Sequence, residues 1–435
     1  MGIRGLAPLP AQPDLDTPDP GPAQNAPVLA GLLLVALALR PQLAGIGPLA
    51  GDIVADLGVS HSFVGLLTTI PVLCMGLFAP LGPVLARWLG TGRAIGLASG
   101  AVALLGVARV LLPSELVLLV LTLGVGFATA ISGPTSAMFI RERLPRHAVA
   151  GSAAYAAGTL VGAAIASGVA VPLATGLGGW RVSLVILSLV TGLGAIAWFR
   201  LSRPRPAGLP DGEPGTIATH ATHSVPGHRP RGLGLPHLPL RSPVVWTIGL
   251  MFGLQSWLYY GSGAWLPSVY VEGGWDPALA AALMTVSNMA AIVGSLSAPA
   301  LSRRGLARRT LLAADATAAL VALVGVAAFP GPGFLWAICL GGGLGMMLSL
   351  ALTLPTDVAE DARGAGGASA MMLMVGYLMA AAAPFVLGAV RDATGSFSDG
   401  MWLLVVIAFA MVPLAWSLTP HRLRSGRRRD GVAAG

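Results

Sequence analysis

The sequence predicts an all-α membrane protein of twelve transmembrane helices, arranged in two six-helix pseudo-symmetric halves. Three observations lead to this fold class. Hydrophobic residues make up 55% of the chain and charged residues only 10%, whereas a soluble domain carries about 25% charged residues. Apolar stretches of about 20 residues, the length of a helix that crosses a bilayer, recur along the chain. A long polar segment near the middle divides these stretches into two sets of six.

The apolar stretches are interpreted as helices because they are continuously apolar, whereas the strands of a membrane barrel alternate. Interior Gly and Pro are compatible with this interpretation, because neighbouring helices satisfy the backbone groups that such residues free. The predicted spans cover residues 27–50, 63–85, 93–112, 115–140, 148–174, 181–199, 243–267, 277–301, 310–330, 333–355, 365–390 and 400–419.

The remaining segments are predicted to be tails and a linker. The N-terminal segment is rich in Pro and Asp and lacks the apolar core of a secretory signal, so we expect a disordered tail. Four of the seven histidines lie in the Pro/Gly/His/Arg-rich central segment, but their irregular spacing favours a solvated linker over a metal site. We expect no metal and no cofactor. The predicted regions are the tail 1–26, the first half 27–199, the linker 200–242, the second half 243–419 and the basic tail 420–435.

The arginines predict the orientation of the chain, because the sequence contains no Lys. If the N-terminus is cytoplasmic, 22 of the 26 Arg lie in cytoplasmic segments, two lie outside and two lie within spans. The positive-inside rule therefore predicts that both termini are cytoplasmic and that the protein is a multi-pass inner-membrane protein. The net charge of +8 is explained by the arginines of these cytoplasmic segments, so it does not indicate a nucleic-acid partner. The lipid bilayer is the expected partner.

Two basic turns lie at equivalent places in the two halves. Residues 85–93 follow the second span and residues 301–309 follow the eighth. Repetition across six-helix halves is typical of alternating-access transporters, and the layout resembles the major facilitator superfamily. In that superfamily the turn after the second helix carries an acidic residue and then a basic one, but Arg87 takes the acidic place here. The resemblance implies gating loops that contain Arg87, Arg93, Arg303 and Arg304.

Four segments in both halves carry a closer resemblance. They are Leu39-Arg40-Pro41, residues 65–80, residues 252–267, and Gly376-Tyr377 with Pro384 and residues 391–396. Together they look like the cyanate and 2-nitroimidazole porters, the CynX/NimT family, over about residues 27–419. This family is associated with substrates that differ chemically, so the resemblance implies a permease without specifying its substrate.

Arg40 is the strongest candidate for contact with a substrate. It lies near the middle of the first predicted span, roughly 20 Å of helix from the inner end. A charge at a helix centre costs about 2.5–3.5 kcal/mol on insertion scales, so it persists where it faces a cavity or a partner. No acidic residue lies deep in a span, and an anionic or polarised substrate is a candidate counter-charge. The alternative is an Arg bonded to carbonyls that Pro41 frees.

The seventh span offers a second group of candidates. Gln255, Tyr259 and Ser262 fall on one helical face, while Trp257 and Tyr260 fall on the other. Superfamily members line their cavity with the first, fourth, seventh and tenth helices. The resemblance therefore favours Gln255 and Tyr259 as a substrate wall. Packing and interface anchoring are the alternatives for the aromatic residues.

Other polar side chains at membrane depth are weaker candidates. Ser and Thr commonly bond to their own helix backbone, and polar side chains also join neighbouring helices. Arg109 lies near the outer end of its span, where its long side chain can reach the interface, so we expect a structural role for it. The substrate candidates in this group are Ser132, Thr135, Asn288, Thr353 and Tyr377.

The competing functional classes have less support. The chain shows no Gly-rich phosphate loop, no closely spaced metal ligands in a span, and no set of nucleophile, base and acid at one depth, so we expect no enzyme. A membrane sensor or scaffold would need a soluble region larger than the predicted linker. The leading hypothesis is a monomeric secondary transporter that moves a small anionic or polar solute. The alternative is efflux of larger hydrophobic compounds.

Overall fold

The structure, a computed structural model, describes residues 22–112, 114–144, 147–202, 239–240, 242–358 and 362–419. These residues form sixteen α-helices and one short 3-10 helix, without a strand among them. The predicted tail 420–435, residues 1–21 of the N-terminal tail and most of the linker lie outside the described residues. The helices are α1 (Pro22–Leu39), α2 (Pro41–Ala44), α3 (Ala50–Leu57), α4 (His61–Phe78), α5 (Leu81–Leu89), α6 (Thr91–Leu111), α7 (Glu115–Arg143), α8 (Ala148–Leu177), α9 (Trp180–Leu201), α10 (Pro243–Glu272), α11 (Pro277–Arg303), α12 (Arg308–Ala328), α13 (Gly333–Ala351), α14 (Leu354–Val358), α15 (Ala362–Thr394) and α16 (Phe397–Ser417), and the 3-10 helix is Gly47–Leu49.

Membrane-length helices account for nearly the whole described chain. Eleven stretches are long and apolar enough to cross a membrane within the described ranges. The one predicted span that is not among these eleven is the seventh, 243–267, which lies in α10, a helix of 30 residues. At 1.5 Å per residue this helix is about 45 Å long, so its length suffices for a crossing. Its Gln, Ser, Tyr and Trp residues make this span more polar than the other eleven. The predicted all-α membrane fold is confirmed.

Three predicted spans are broken rather than continuous. The first runs through α1, α2, the 3-10 helix and α3, and its interruptions fall at Pro41 and Pro48. The second is split into α4 and α5 at Pro80, and the tenth is split into α13 and α14. Proline has no N–H to donate and its ring clashes with the carbonyl one turn earlier, which breaks the helix. Each of these three predicted spans therefore consists of more than one helix in the structure.

The helices pack as two bundles with reciprocal contacts between them. In the first bundle α6 packs on α7 and α9, and α1 packs on α8 and α9. In the second bundle α12 packs on α13 and α16, and α10 packs on α15. Between the bundles α4 meets α15, and α8 meets α11. Each contact joins the second crossing of one half to the fifth crossing of the other, as two structurally related halves require.

The two halves approach closely at the predicted outer end, the end that carries residues 58–60, 273–276 and 395–396. A Cβ atom on Gly47 would meet the carbonyl oxygen of Gly263, and one on Gly65 would meet that of Pro384. Only glycine leaves room for backbones this close. The halves are therefore in backbone contact at this end.

A carboxylate of the second half also caps a helix of the first half at this end. Asp392 of α15 accepts the backbone N–H of His61 at 2.9 Å and that of Ser62 at 2.8 Å. The His61 Nδ1 lies 2.8 Å from the same carboxylate. These N–H groups belong to the first turn of α4, where no partner exists within the helix. Asp392 thus supplies a cap between the halves.

Each half has its own polar contact at the opposite, predicted cytoplasmic end. The Thr91 hydroxyl donates to Glu142 at 2.7 Å, and Arg308 forms an ion pair with Asp357. The four arginines of the predicted gating loops are all exposed, and none forms an ion pair with a described residue. Their gating role stays a prediction. These arginines are Arg87, Arg93, Arg303 and Arg304.

Candidate functional site

A small cavity of about 40 Å³ lies between the two halves. Its walls come from the first, second and fifth crossings of the first half and the first two crossings of the second half. Tyr259 follows the start of α10 by 16 residues and Asn288 follows the start of α11 by 11 residues, which places both deep within the membrane. The lining residues are Arg40, Leu43, Ala44, Thr68, Ala163, Ser167, Tyr259, Tyr260, Gly263, Ala264, Met284 and Asn288.

Arg40 reaches the cavity from the first break in the first crossing. Helix α1 ends at Leu39 and the four-residue α2 begins at Pro41, so Arg40 occupies the junction. Its carbonyl accepts the backbone N–H of Leu43 at 3.1 Å and that of Ala44 at 3.0 Å. These are the first backbone bonds of the short α2 helix. The break therefore fixes the backbone from which the guanidinium projects.

Tyrosines surround the Arg40 guanidinium. Tyr259, Tyr260 and Tyr377 are all close enough to interact with its charge. No carboxylate of the described residues forms an ion pair with it. The carbonyl-bonded alternative for Arg40 has no contact in the described structure to support it. The guanidinium charge therefore faces the cavity without a protein counter-ion among the described residues.

Asp315 is the acidic residue that the sequence places nearest to membrane depth. The structure buries its side chain in α12, where it is 2% exposed, and its Oδ2 atom has no hydrogen-bond partner. It packs inside the second half, against α13 at Gly343, and does not line the cavity. Asp315 is therefore not the counter-charge of Arg40.

Tyr259 and Asn288 form the polar wall opposite Arg40. The Tyr259 hydroxyl donates to the Asn288 Oδ1 atom at 3.2 Å, and the Asn288 amide donates to the Met284 carbonyl at 2.9 Å. The rings of Tyr259 and Tyr260 meet edge to face, with centroids 5.2 Å apart. The wall combines fixed polar groups with aromatic surface, as small-molecule sites do.

The predicted polar face of the seventh crossing divides in the structure. Gln255 is buried and its amide donates to the Leu344 carbonyl of α13 at 3.2 Å, so it faces the interior of the second half. Ser262 donates to the carbonyl of Leu258 at 2.6 Å. Tyr259 alone of this face lines the cavity, together with Tyr260 from the other predicted face. The geometry thus separates Gln255 from the wall that it was predicted to form.

Tyr377 lies behind the cavity wall rather than in it. Its ring meets that of Phe252 edge to face, with centroids 5.6 Å apart, and lies 6.5 Å from that of Tyr260. It is not among the lining residues. Tyr377 therefore acts on the cavity through its packing against Tyr260 and through its interaction with Arg40.

Three further predicted residues lie away from the cavity. Ser132 and Thr135 are buried in α7, and Thr135 donates to the Ile131 carbonyl at 2.7 Å. Thr353 is exposed at the break between α13 and α14 and donates to the Leu350 carbonyl at 2.7 Å. The fourth and tenth crossings, which the resemblance implied as cavity walls, contribute none of its lining residues. The Thr135 and Thr353 hydroxyls instead bond to carbonyls of their own segments, as Thr often does, whereas the buried Ser132 hydroxyl has no hydrogen-bond partner in the described part of the chain.

Arg109 does not reach the interface, which corrects the expectation from its position. Its side chain is 2% exposed. The guanidinium donates to the backbone carbonyl of Gln42 at 3.2 Å and to the Gln42 side chain at 3.1 Å. A third contact reaches the Thr122 hydroxyl at 3.5 Å. Arg109 therefore joins the third and fourth crossings to the broken first crossing, inside the first half.

The sequence did not single out several residues that the structure brings to the cavity. Thr68 and Ser167 supply hydroxyls, and Ser167 donates to the Ala163 carbonyl at 2.9 Å and to the Ala44 carbonyl at 3.4 Å. Tyr260 and Met284 supply apolar surface. Lone Ser, Thr and Met residues carry no local signal for a cavity. The signal for Tyr260 in the sequence is its position directly after the candidate Tyr259.

Comparisons with known proteins agree with this architecture. The family profile of the Major Facilitator Superfamily matches residues 32–384. The 2-nitroimidazole transporter of Escherichia coli K12 is 28% identical over 385 residues, which cover 88% of this chain and 93% of that protein. The cyanate transport protein CynX of the same organism is 28% identical over 375 residues, with coverages of 85% and 91%. The chain also resembles the structure of a bacterial homolog of the human lysosomal transporter Spinster, in an inward-facing and unoccupied conformation. That likeness has a TM-score of 0.71 and 18% identity and covers 94% of this chain and 99% of that one.

Proposed function

This chain belongs to the Major Facilitator Superfamily, and we propose that it carries a small anionic or polar solute across the inner membrane through the cavity at Arg40. The family and the relatives are transporters, so the chain is a secondary transporter and not an enzyme. The positive-inside distribution of the arginines supports cytoplasmic termini. We further propose that a single copy of the chain, with its own two halves, suffices for transport.

The observation that carries the proposal is the unpaired charge of Arg40 in a cavity shared by both halves. Burying a charge without a counter-ion is costly, and intramembrane charges mark substrate pathways for that reason. An anion that enters the cavity supplies the missing counter-charge. The planar guanidinium offers several N–H donors in a fixed fork, which suits a carboxylate, a nitro group or a small linear anion.

The dimensions and chemistry of the cavity favour a small substrate. Its volume is about 40 Å³, room for only a few water molecules at about 10–15 Å³ each. The Tyr259 hydroxyl and the Asn288 amide provide further polar contacts across from Arg40. The names of two relatives, a cyanate transport protein and a 2-nitroimidazole transporter, fit the same substrate class. Efflux of larger hydrophobic compounds is the alternative, favoured only by the aromatic surface.

Alternating access supplies the mechanism. The glycine contacts and the Asp392 cap hold the halves together at the predicted outer end. A rocking motion that breaks these contacts would open the cavity toward that side, because substrate sites in such folds lie between the two moving halves. The Gly47 contact with Gly263 lies next to the cavity residue Ala264. Closure at the outer end and the shape of the cavity are therefore coupled.

A ligand screen of the purified protein tests the proposal. A ligand that binds the native state raises the apparent melting temperature. Cyanate, benzoate, 2-nitroimidazole and several hydrophobic dyes would be titrated at one ionic strength, with chloride as the balancing anion. We expect concentration-dependent stabilisation by a small anion or nitro compound in the wild type, and its loss in Arg40→Ala. Stabilisation by the hydrophobic dyes alone, or an unchanged anion response in Arg40→Ala, would favour the efflux alternative.

A further inference from the structure

A second arginine contacts the same helix break from the opposite side. Arg109 of α6 bonds to both the backbone carbonyl and the side chain of Gln42, two residues after Arg40. Gln42 is fully buried, and its amide donates to the Ser188 hydroxyl at 3.0 Å. The α2 segment therefore has Arg40 at its cavity side and the Arg109 guanidinium at its buried side.

The surroundings of Gln42 are shaped to hold this contact. A Cβ atom on Gly106, one turn before Arg109 on α6, would lie 2.6 Å from the Gln42 Oε1 atom and 2.7 Å from the Ser188 Oγ atom. A side chain at that position would displace the Gln42 amide. The glycine and the arginine together give the Gln42 side chain one position, with its oxygen toward Arg109.

The charge of Arg109 is not neutralised. No described carboxylate forms an ion pair with it. Its partners are the neutral Gln42 amide, a backbone carbonyl and the Thr122 hydroxyl, and its Nε atom has no partner. Glutamate has the size of glutamine and would form a stronger, charge-assisted bond with a guanidinium. With Gln at this position, the positive charge persists.

We propose that Arg109 supplies a remote second positive charge to the anion site, and that the neutral Gln42 preserves this charge. The inference rests on the proposed function and narrows its substrate to solutes that bear net negative charge when bound. Charges interact over longer distances within a protein in a bilayer than in water, because the effective dielectric constant is low. Arg109 thus strengthens anion binding without contact with the anion.

Gln42→Glu tests the charge with little change of shape. The new carboxylate would pair with Arg109, and the Ser188 hydroxyl would turn from the Leu184 carbonyl to donate to it, so the stronger bond to Arg109 should keep the protein close to wild-type stability. We expect the dissociation constant for cyanate or benzoate to rise about tenfold, which corresponds to about 1.4 kcal/mol. The dissociation constants would be measured from thermal-shift titrations at one ionic strength, and uptake into proteoliposomes should show a raised KM with kcat nearly unchanged.

Two variants of Arg109 separate the charge from the hydrogen-bond geometry. Arg109→Lys keeps the charge and loses the guanidinium fork, whereas Arg109→Met loses both. If the charge acts on the anion, Lys retains most of the wild-type affinity and Met weakens it as Gln42→Glu does. Arg181→Gln removes an exposed arginine from the outer surface and serves as the matched control, with unchanged affinity expected.

The outcomes distinguish this inference from the proposed function. Wild-type affinity in Gln42→Glu, with anion binding still lost in Arg40→Ala, would overturn the role of Arg109 and leave the proposed function intact. The same holds if Arg109→Lys fails as Arg109→Met does, because that pattern indicates a purely structural fork. A wild-type protein that binds none of the anions would overturn both proposals.

Discussion

Replacement of Arg40 by Gln should strongly weaken anion binding while leaving the fold intact or more stable. The guanidinium has no ionic partner among the described residues, so its removal breaks no ion pair. The variant instead removes an uncompensated charge from within the membrane, and such a charge costs about 2.5–3.5 kcal/mol on insertion scales. A gain of stability with a loss of function is typical of a residue kept for its chemistry.

The loss of affinity can be estimated from the contact that a bound anion would make. Truncation of one partner of a desolvated, hydrogen-bonded charge pair costs about 2–5 kcal/mol. A loss of about 2–5 kcal/mol corresponds to a dissociation constant about 30- to 4,000-fold higher, at about 1.4 kcal/mol per factor of ten. Arg40→Lys keeps the charge without the fork, so we expect a smaller loss of about tenfold.

The assay combines thermal-shift titration with uptake of labelled cyanate and benzoate into proteoliposomes. The expected order of affinity is wild type, then Arg40→Lys, then Arg40→Gln, with the melting temperature of unliganded Arg40→Gln at or above that of the wild type. Arg181→Gln, which removes an exposed arginine, should behave as the wild type. An Arg40→Gln protein that binds anions normally, or that is strongly destabilised, would refute the assignment of Arg40 to the substrate.

Four further predictions concern the seventh crossing and the outer end. Tyr259→Phe removes the hydroxyl bonded to Asn288 and should weaken anion binding about 3- to 10-fold in the same titration, whereas Gln255→Ala should lower the free energy of unfolding by about 1–2 kcal/mol with affinity unchanged. Gly47→Val should force the halves apart at the outer end. The labelling probe is a cysteine in place of Ser268, near the outer end of α10, and its reaction with a membrane-impermeant maleimide should be faster in this variant. Asp392→Asn weakens the charge-assisted cap on α4 and should accelerate the same labelling about tenfold; unchanged labelling in both variants would contradict the assigned closure.

The sequence alone determined the class of protein and its most informative residue. Length and apolarity of the spans are local properties, so the helices and the two halves could be predicted before any packing was known. Arg40 stood out for a similarly local reason, because a central charge in an apolar span needs an explanation wherever the helix packs. Pro41 beside it also marked the break that the structure shows.

Only the tertiary structure decided which faces of the helices meet the cavity. Lipid tails are as apolar as leucine, so a membrane helix carries little amphipathic signal to show which face is buried in protein. The rotation of α10 that turns Gln255 toward Leu344 and brings Tyr260 to the cavity therefore follows from packing against α13 and α15. The burial of Arg109 likewise depends on Gln42, 67 residues away in the sequence. Such contacts exist only after distant helices have packed together.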